Sequence, residues 1–174
     1  MDQLPTEHRR AKRPATVLAG PYGHPVHAMV IPVPIGAWVA SLLFDLASYI
    51  ASEPTGLLRG SYWLIVLGIA TALLAAVFGL MDLVRIPLGT KPFKVGVAHM
   101  MLNVTVVALY TVGVALRHGR LDDAPLAIAP LAVSIVAVGL LAVSGWLGGE
   151  LTYRYGIRVA DESTQADAYA KRQG

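Results

Sequence analysis

The chain contains no cysteine among its 174 residues. Disulfides, cysteine-ligated iron–sulfur clusters, thiol chemistry and thioether-linked haem are therefore excluded for this chain. Charge is also scarce, because charged residues make up 14% of the sequence, whereas a soluble domain typically has about 25%. Hydrophobic residues make up 55%. The composition therefore points away from a soluble globular protein.

Four apolar stretches carry nearly all of this hydrophobicity, and they cover residues 27–50, 61–83, 96–116 and 127–151. Each meets the requirement of about 20 residues for a membrane-spanning helix. The strands of a membrane barrel would be shorter and would alternate in polarity. The sequence therefore predicts an all-α, multi-pass membrane protein, an antiparallel bundle of four transmembrane helices within residues 23–156.

The basic residues are distributed unevenly along the chain. Of the 14 Lys and Arg residues, eleven precede the first apolar stretch, lie in the second loop or follow Leu151. Only three lie in the first and third loops, and an excess of positive charge favours the cytoplasmic side. The sequence therefore predicts that both termini are cytoplasmic, and that the basic excess is a topology signal with no nucleic-acid partner.

The terminal segments are polar. Residues 1–22 include the basic run from His8 to Arg13, and this composition predicts a disordered cytoplasmic tail that is attracted to anionic lipid. A cleaved signal peptide is not expected, since the first apolar stretch is too long for one. Residues 157–174 are mixed in charge and predict a cytoplasmic tail that is a solvated helix or disordered.

Prolines cluster at the start of the first apolar stretch, beside the Gly-His-Pro-Val-His sequence of residues 23–27. Pro25 suits the first turn of a helix, where its missing N–H is no loss. Pro32 and Pro34 lie further in, where each removes a helical hydrogen bond. We therefore expect a bent, partly opened helix start next to two histidines.

The topology predicts one polar layer at the cytoplasmic side, because helices one and three begin there and helices two and four end there. Ionisable residues inside membrane segments are costly and are functional-site hypotheses by default. His27 and His99 are expected to share a pocket with Asp82. Asp82 is expected either to pair with Arg85 or to point at a histidine. The layer as a whole comprises His24, His27, Asp82, Arg85, His99, Asn103 and Glu150.

Asp45 is predicted to lie far from this layer, about 27 Å from His27 along the helix. No second ionisable residue clearly accompanies it in the sequence. Its expected role is structural, through a hydrogen bond to Ser41, Tyr62 or a neighbouring helix end.

Small residues recur every three or four positions in the second and fourth apolar stretches. Such residues let helices approach closely, so these faces are expected to pack against protein. The residues concerned are Gly68, Thr71, Ala75 and Gly79 in the second stretch, and Gly145 and Gly149 in the fourth.

Several motifs together carry a resemblance to a known family. They are Gly23–His27, Ile31–Gly36 with Phe44-Asp45, Gly79–Asp82 with Arg85-Ile86-Pro87, Ala98-His99 with Asn103, and Gly145–Gly149 with Tyr153–Gly156. Over about residues 20–160 the chain thereby resembles the bacterial domain of unknown function 2231. The resemblance implies a four-helix protein of the bacterial inner membrane with no established activity. Some relatives are fused to Rieske or cytochrome domains, which implies electron transfer with redox partner proteins. The chain departs from many members at Tyr155, where they have histidine.

Two function hypotheses of different kinds stay open from the residues. The first is a membrane scaffold or accessory subunit, without catalysis of its own, whose histidines are satisfied by internal hydrogen bonds. The second is a b-type haem module of a membrane oxidoreductase, with His27 and His99 as axial ligands and His24 as a further candidate. Gly79, Gly96 and Gly148 would then make room for the haem ring.

Two further hypotheses have weaker sequence support. A divalent-metal site would use imidazole and carboxylate ligands, which suit Zn or Fe. Its ligands would be His24, His27, Asp82 and His99, with Glu150 as an additional candidate. A transporter is expected only if the chain forms a homo-oligomer, because no inverted repeat is evident.

Overall fold

The computed structural model describes residues 6–20 and 23–170, and all regular secondary structure in these ranges is helical. A π-helical turn, Glu150–Arg154, continues the sixth helix. Four segments are long and apolar enough to cross a membrane: Val26–Ala47, Thr55–Leu83, Lys91–Arg117 and Ile128–Arg154. The helices are α1 Thr6–Lys12, α2 Val26–Val30, α3 Pro32–Ala47, α4 Thr55–Leu83, α5 Lys91–Arg117, α6 Ile128–Gly149 and α7 Glu162–Tyr169.

The predicted four-helix architecture is confirmed, but α4 and α5 begin earlier than the apolar stretches do. Hydrophobicity marks the membrane core, whereas the helices continue through charged residues toward the polar boundary. At the start of α5, the Thr90 hydroxyl accepts a hydrogen bond from the Phe93 amide at 3.3 Å, and Pro92 occupies the first turn. Both features are typical helix-start chemistry.

The first span is interrupted at Ile31, which separates α2 from α3. Pro32 and Pro34 have no N–H to donate to the preceding turn, so regular helical hydrogen bonding fails there. The interruption follows His27 by one turn, and the Ile31 amide still donates to the His27 carbonyl at 3.1 Å. The structure thus has the opened helix start that the prolines predict.

The bundle closes as a ring of four helices. α3 packs mainly on α4 and α5 mainly on α6, while contacts of α4 with α5 and of α3 with α6 join the two hairpins. At its centre the Trp38 and Tyr110 rings stack with centroids 4.5 Å apart. The outward faces are apolar, with Trp63 65% and Leu80 54% exposed. Such a surface suits lipid rather than water.

The bundle has two ends. We call the end that carries α1, α2 and α7 the terminal end, and the opposite end the loop end. At the terminal end Ala11 of α1 is 4% exposed and packs in a cluster with Ile86 and Ile157. Lys12 donates to Glu162 at 2.6 Å.

The terminal segments differ in how far they match expectation. The predicted disorder of the basic tail is wrong for α1, because Ala11 packs in a buried apolar cluster with Ile86 and Ile157 and Lys12 pairs with Glu162 of α7. The side chains of α7 are exposed, as a solvated helix requires. Residues 1–5, 21–22 and 171–174 of the predicted tails lie outside the described ranges.

Candidate functional site

His27 lies on α2 and reaches the backbone of α4. Its Nδ1 is 2.8 Å from the Ala75 carbonyl oxygen. A carbonyl oxygen only accepts hydrogen bonds, so Nδ1 carries the proton. The imidazole lies directly on Gly79, where an added Cβ would be 3.0 Å from the ring carbon Cε1. The small residue at position 79 therefore makes room for this ring.

His99 on α5 repeats the same arrangement against α6. Its Nδ1 is 2.8 Å from the Ser144 carbonyl oxygen, and a Cβ at Gly148 would be 3.2 Å from its Cε1. Asn103 donates to the His99 carbonyl at 2.8 Å and to the Ser144 hydroxyl at 2.7 Å. Those two bonds use both amide hydrogens, so the 3.2 Å contact of Asn103 with Nε2 of His99 is secondary.

The two imidazole rings face each other across the bundle. Their centroids are 6.5 Å apart and their planes are nearly perpendicular, at 87°. Both rings are in the same tautomer, because each Nδ1 donates to a carbonyl. In the neutral form of these rings, each Nε2 presents a lone pair, which makes it the atom that can accept a proton or bind a metal.

Asp82 pairs with a residue that the sequence did not suggest. Its Oδ1 is 3.2 Å from Nε of Arg158, and both side chains are largely buried. Arg158 also donates to the carbonyls of Ala19 and His24 at 3.3 and 3.2 Å. Of the two alternatives left open for Asp82, the pair with Arg85 does not form, because Arg158 takes that place.

Glu150 and His24 do not join the histidine pair. Glu150 Oε1 accepts hydrogen bonds from Arg154 at 2.9 Å and from the Tyr155 hydroxyl at 3.3 Å, and His24 is exposed. Within the described residues, no group of three or more His, Asp or Glu side chains is placed to hold a metal ion. The predicted ligand set of His24, His27, Asp82 and His99 is therefore not assembled into a coordinating cluster.

Side chains of the protein itself occupy the space beside the glycines that were expected to make room for a haem ring. The histidine rings cover Gly79 and Gly148, and a Cβ at Gly96 would lie 2.7 Å from Leu83 Cδ1. Gly145 is exposed, with no described atom within 4 Å of its added Cβ. The Gly145–Gly149 spacing therefore makes no close approach to another helix of this bundle.

A second polar layer lies at the loop end and contains a buried ion pair. Asp45 Oδ2 is 2.6 Å from Nη2 of Arg117, and the two side chains are 0% and 2% exposed. Ser61 donates to the other Asp45 oxygen at 2.5 Å, and Arg117 also donates to the Ser134 hydroxyl at 3.0 Å. This layer therefore joins all four spanning segments.

Sequence reasoning assigned Asp45 a structural role but missed its partner. Arg117 was counted as a loop charge because it follows the predicted third stretch, whereas it is the last residue of α5. Ser41, one of the three partners considered for Asp45, instead donates its hydroxyl hydrogen to the Trp38 carbonyl at 2.8 Å. The partner of Asp45 is a neighbouring helix end, one of the options left open.

An internal repeat would have revealed Arg117. Asp45 and Arg117 are 72 positions apart, and the same separation relates His27 to His99 and Trp38 to Tyr110. Each residue contacts its own counterpart, as happens at a two-fold axis. The partners on the second helices also correspond, with a carbonyl and a glycine one turn later: Ala75 with Gly79, and Ser144 with Gly148. The chain thus consists of two similar hairpins around a pseudo-two-fold axis.

Four apolar spans around two internal polar layers define the class of the protein, a helical membrane protein. The chain belongs to the family described as predicted membrane protein (DUF2231), which matches residues 23–161. No curated protein and no solved structure matches the chain. The family assignment agrees with the four spans and assigns no activity.

Proposed function

We propose that the protein is a noncatalytic scaffold or accessory subunit of the bacterial inner membrane, with both termini in the cytoplasm. The single observation that carries this proposal is the hydrogen bonding of the two histidines. Each Nδ1 donates to a backbone carbonyl of the next helix. These side chains therefore join helices, as expected of polar groups that fix a bundle in lipid.

The histidine bonds join helices that the loop-end layer also joins. His27 links the first span to α4, His99 links α5 to α6, and the ring contact links the two hairpins. At the other end, the Asp45–Arg117 pair links the two hairpins, and its bonds with Ser61 and Ser134 link the helices within each hairpin. A bundle held at both ends offers a rigid apolar outer face for a partner subunit, with Trp146 79% exposed on α6.

A second candidate function is a two-histidine metal or haem-iron site. The observation that favours it is the pair of Nε2 lone pairs, each supported by an Nδ1–H donated to a carbonyl, which is the usual form of a metal-binding histidine. Two further observations weigh against it. No third His, Asp or Glu ligand joins the pair within the described chain, and the histidine rings occupy the space above Gly79 and Gly148.

Absorption and elemental analysis of the full chain, purified from its own membrane in maltoside detergent, separate these functions. For a scaffold we expect no Soret band and well under one metal ion per chain. His27→Gln and His99→Gln should lower the thermal midpoint without changing either signal. A Soret band or one metal ion per chain that is lost in both variants, but kept in the exposed control His118→Gln, would establish the second candidate and overturn the first.

The subunit part of the proposal needs its own measurement. Crosslinking in intact native membranes should join the chain to another polypeptide at a defined mass, through a photoreactive group at the exposed Trp146 position. The matched control places the same group at Tyr169 of α7, which is also exposed but lies outside the spans. Monomer alone at position 146 would contradict a subunit role.

A further inference from the structure

Four arginines surround one hollow at the terminal end. Arg9, Arg10 and Arg13 come from α1 and the residue that follows it, and Arg85 comes from the segment after α4. These four residues are its whole described lining, and the hollow has a volume of about 270 Å³. We call it the arginine hollow.

The arginine hollow is held in place by the packing of α1. Ala11 and Lys12, between the arginines in sequence, are both buried. The Ala11 carbonyl accepts a hydrogen bond from the Arg158 amide at 3.3 Å. On the other wall, the Arg85 amide donates to the Asp82 carbonyl at 3.1 Å. The arginines are thus presented by two anchored segments rather than by a free tail.

Two of the four arginines, Arg10 and Arg85, form no ion pair with the residues that the structure describes. Asp82 pairs with Arg158, and Glu162 pairs with Lys12. Arg13 makes a 4.0 Å contact with Asp161, whose side chain is 31% exposed. The Nε of Arg85 is buried and has no hydrogen-bond partner within the described residues. A buried guanidinium donor without an acceptor is costly unless an anion supplies one.

The depth of the hollow matches the headgroup region of a bilayer. α4 has 29 residues and is therefore roughly 43 Å long, close to the about 40–45 Å of a bilayer with its headgroups. Arg85 lies two residues beyond the end of α4. Val84 and Leu88 on either side of it are 60% and 81% exposed, as expected for apolar side chains that reach the lipid.

We propose that the arginine hollow binds a phosphate group. The planar guanidinium fork donates two parallel hydrogen bonds, which fits phosphate oxygens. The guanidinium groups of Arg10, Arg13 and Arg85 attract a multiply charged or headgroup phosphate. The phosphate of an anionic phospholipid and free inorganic phosphate share this chemistry. This inference does not depend on the proposed function of the histidine pair.

The test uses the full chain in maltoside detergent, which contains no phosphate, with short-chain phosphatidylglycerol and inorganic phosphate as separate probes. Binding is measured by native mass spectrometry and by the thermal midpoint. We expect one saturable site for phosphatidylglycerol and about tenfold weaker binding in Arg85→Gln. Lys94→Gln removes an exposed charge at the same end without lining the hollow, and it should change binding by less than about twofold.

Further measurements identify the source of the phosphate and distinguish a loss of binding from a failure to fold. Saturable binding of inorganic phosphate that displaces the lipid would assign the site to free phosphate, and binding of the lipid alone would assign it to a headgroup. Arg85→Lys keeps the charge but loses the fork, so it should fall between wild type and Arg85→Gln. If Arg85→Gln does not fold, Arg10→Gln replaces it. Equal weakening by the arginine variant and by Lys94→Gln, or no saturable binding of either probe, would overturn the proposal.

Discussion

Each polar layer is built from equivalent positions in the two hairpins, but the two layers use different chemistry. At the loop end, the charged pair Asp45–Arg117 is almost completely excluded from solvent. At the terminal end, His27 and His99 are half-buried and each donates to a carbonyl. The comparison shows that equivalent positions in the two hairpins can be joined either by an ion pair or by two imidazoles that are each bonded to a neighbouring helix.

The difference in burial explains why the ion pair lies at the loop end and the imidazoles lie at the terminal end. A charge in the sealed layer is stable only with a counter-charge and further hydrogen bonds, and Ser61 and Ser134 supply those bonds. The terminal layer lies near the boundary, where an uncharged imidazole bonded to a carbonyl is sufficient. The loop-end layer therefore has a structural role. The terminal layer keeps two Nε2 atoms that can accept a proton or bind a metal.

The proposed orientation makes the two ends differ in accessibility from outside the cell. Because the natural chain has no cysteine, single cysteines report each end without background. Glu53→Cys at the loop end should react fully with a membrane-impermeant thiol reagent added to intact cells, and Lys91→Cys at the terminal end should not. Labelling of Lys91→Cys with protection of Glu53→Cys would reverse the proposed orientation.

Removing one member of the ion pair should have the largest effect on stability. Arg117→Met leaves the Asp45 carboxylate buried without its counter-charge, which should cost about 3–5 kcal/mol in free energy of unfolding. Denaturation in mixed detergent micelles measures this. Arg120→Met, an exposed residue at the same end, is the control and should change stability by less than about 0.5 kcal/mol.

The double variant Asp45→Leu with Arg117→Met sharpens this test. Both charges are then absent, so most of the lost stability should return, although the Ser61 and Ser134 hydroxyls lose a partner. A double variant that is as unstable as Arg117→Met alone would show that the cost comes from packing rather than from the unpaired charge.

Glycine substitutions should have smaller effects whose sign depends on the neighbour. Gly79→Leu should overpack the site of the His27 ring and cost about 1–3 kcal/mol, since even a Cβ there would be 3.0 Å from that ring. Gly139→Ala is the matched control on α6, where no described atom lies within 4 Å of the added Cβ. It should be neutral or stabilising by up to about 1 kcal/mol. An unchanged thermal midpoint for Gly79→Leu would place that face against lipid.

The sequence was sufficient for the architecture, because four long apolar stretches have one structural solution in a membrane. It was also sufficient to put His27 and His99 in one layer, since alternating helix direction decides which residues share a depth. The rings lie 6.5 Å apart. Both inferences rest on local hydrophobicity and chain direction alone.

Partners that depend on distant chain segments were not accessible in this way. Arg158 reaches Asp82 only because the chain returns to the terminal end after α6. The docking of α1 depends on the contacts of Ala11 and Lys12 with residues at the far end of the sequence. Arg117 was missed because a charged residue at the end of an apolar stretch is expected to face the polar boundary. Its long side chain instead turns into the bundle. The repeat separation of 72 residues was the signal that would have paired it with Asp45.

Nitrogen-15 NMR of histidine-labelled protein in detergent tests the account most directly, with His27→Gln and His99→Gln variants to assign the signals. We expect both imidazoles to carry their proton on Nδ1, each Nε2 to be unprotonated and uncoordinated, and the two rings to show a through-space contact. Protons on Nε2, or two rings without a contact, would contradict the helix-to-helix bonding. Chemical shifts of metal-coordinated Nε2 on both residues would replace the scaffold with a metal or haem site.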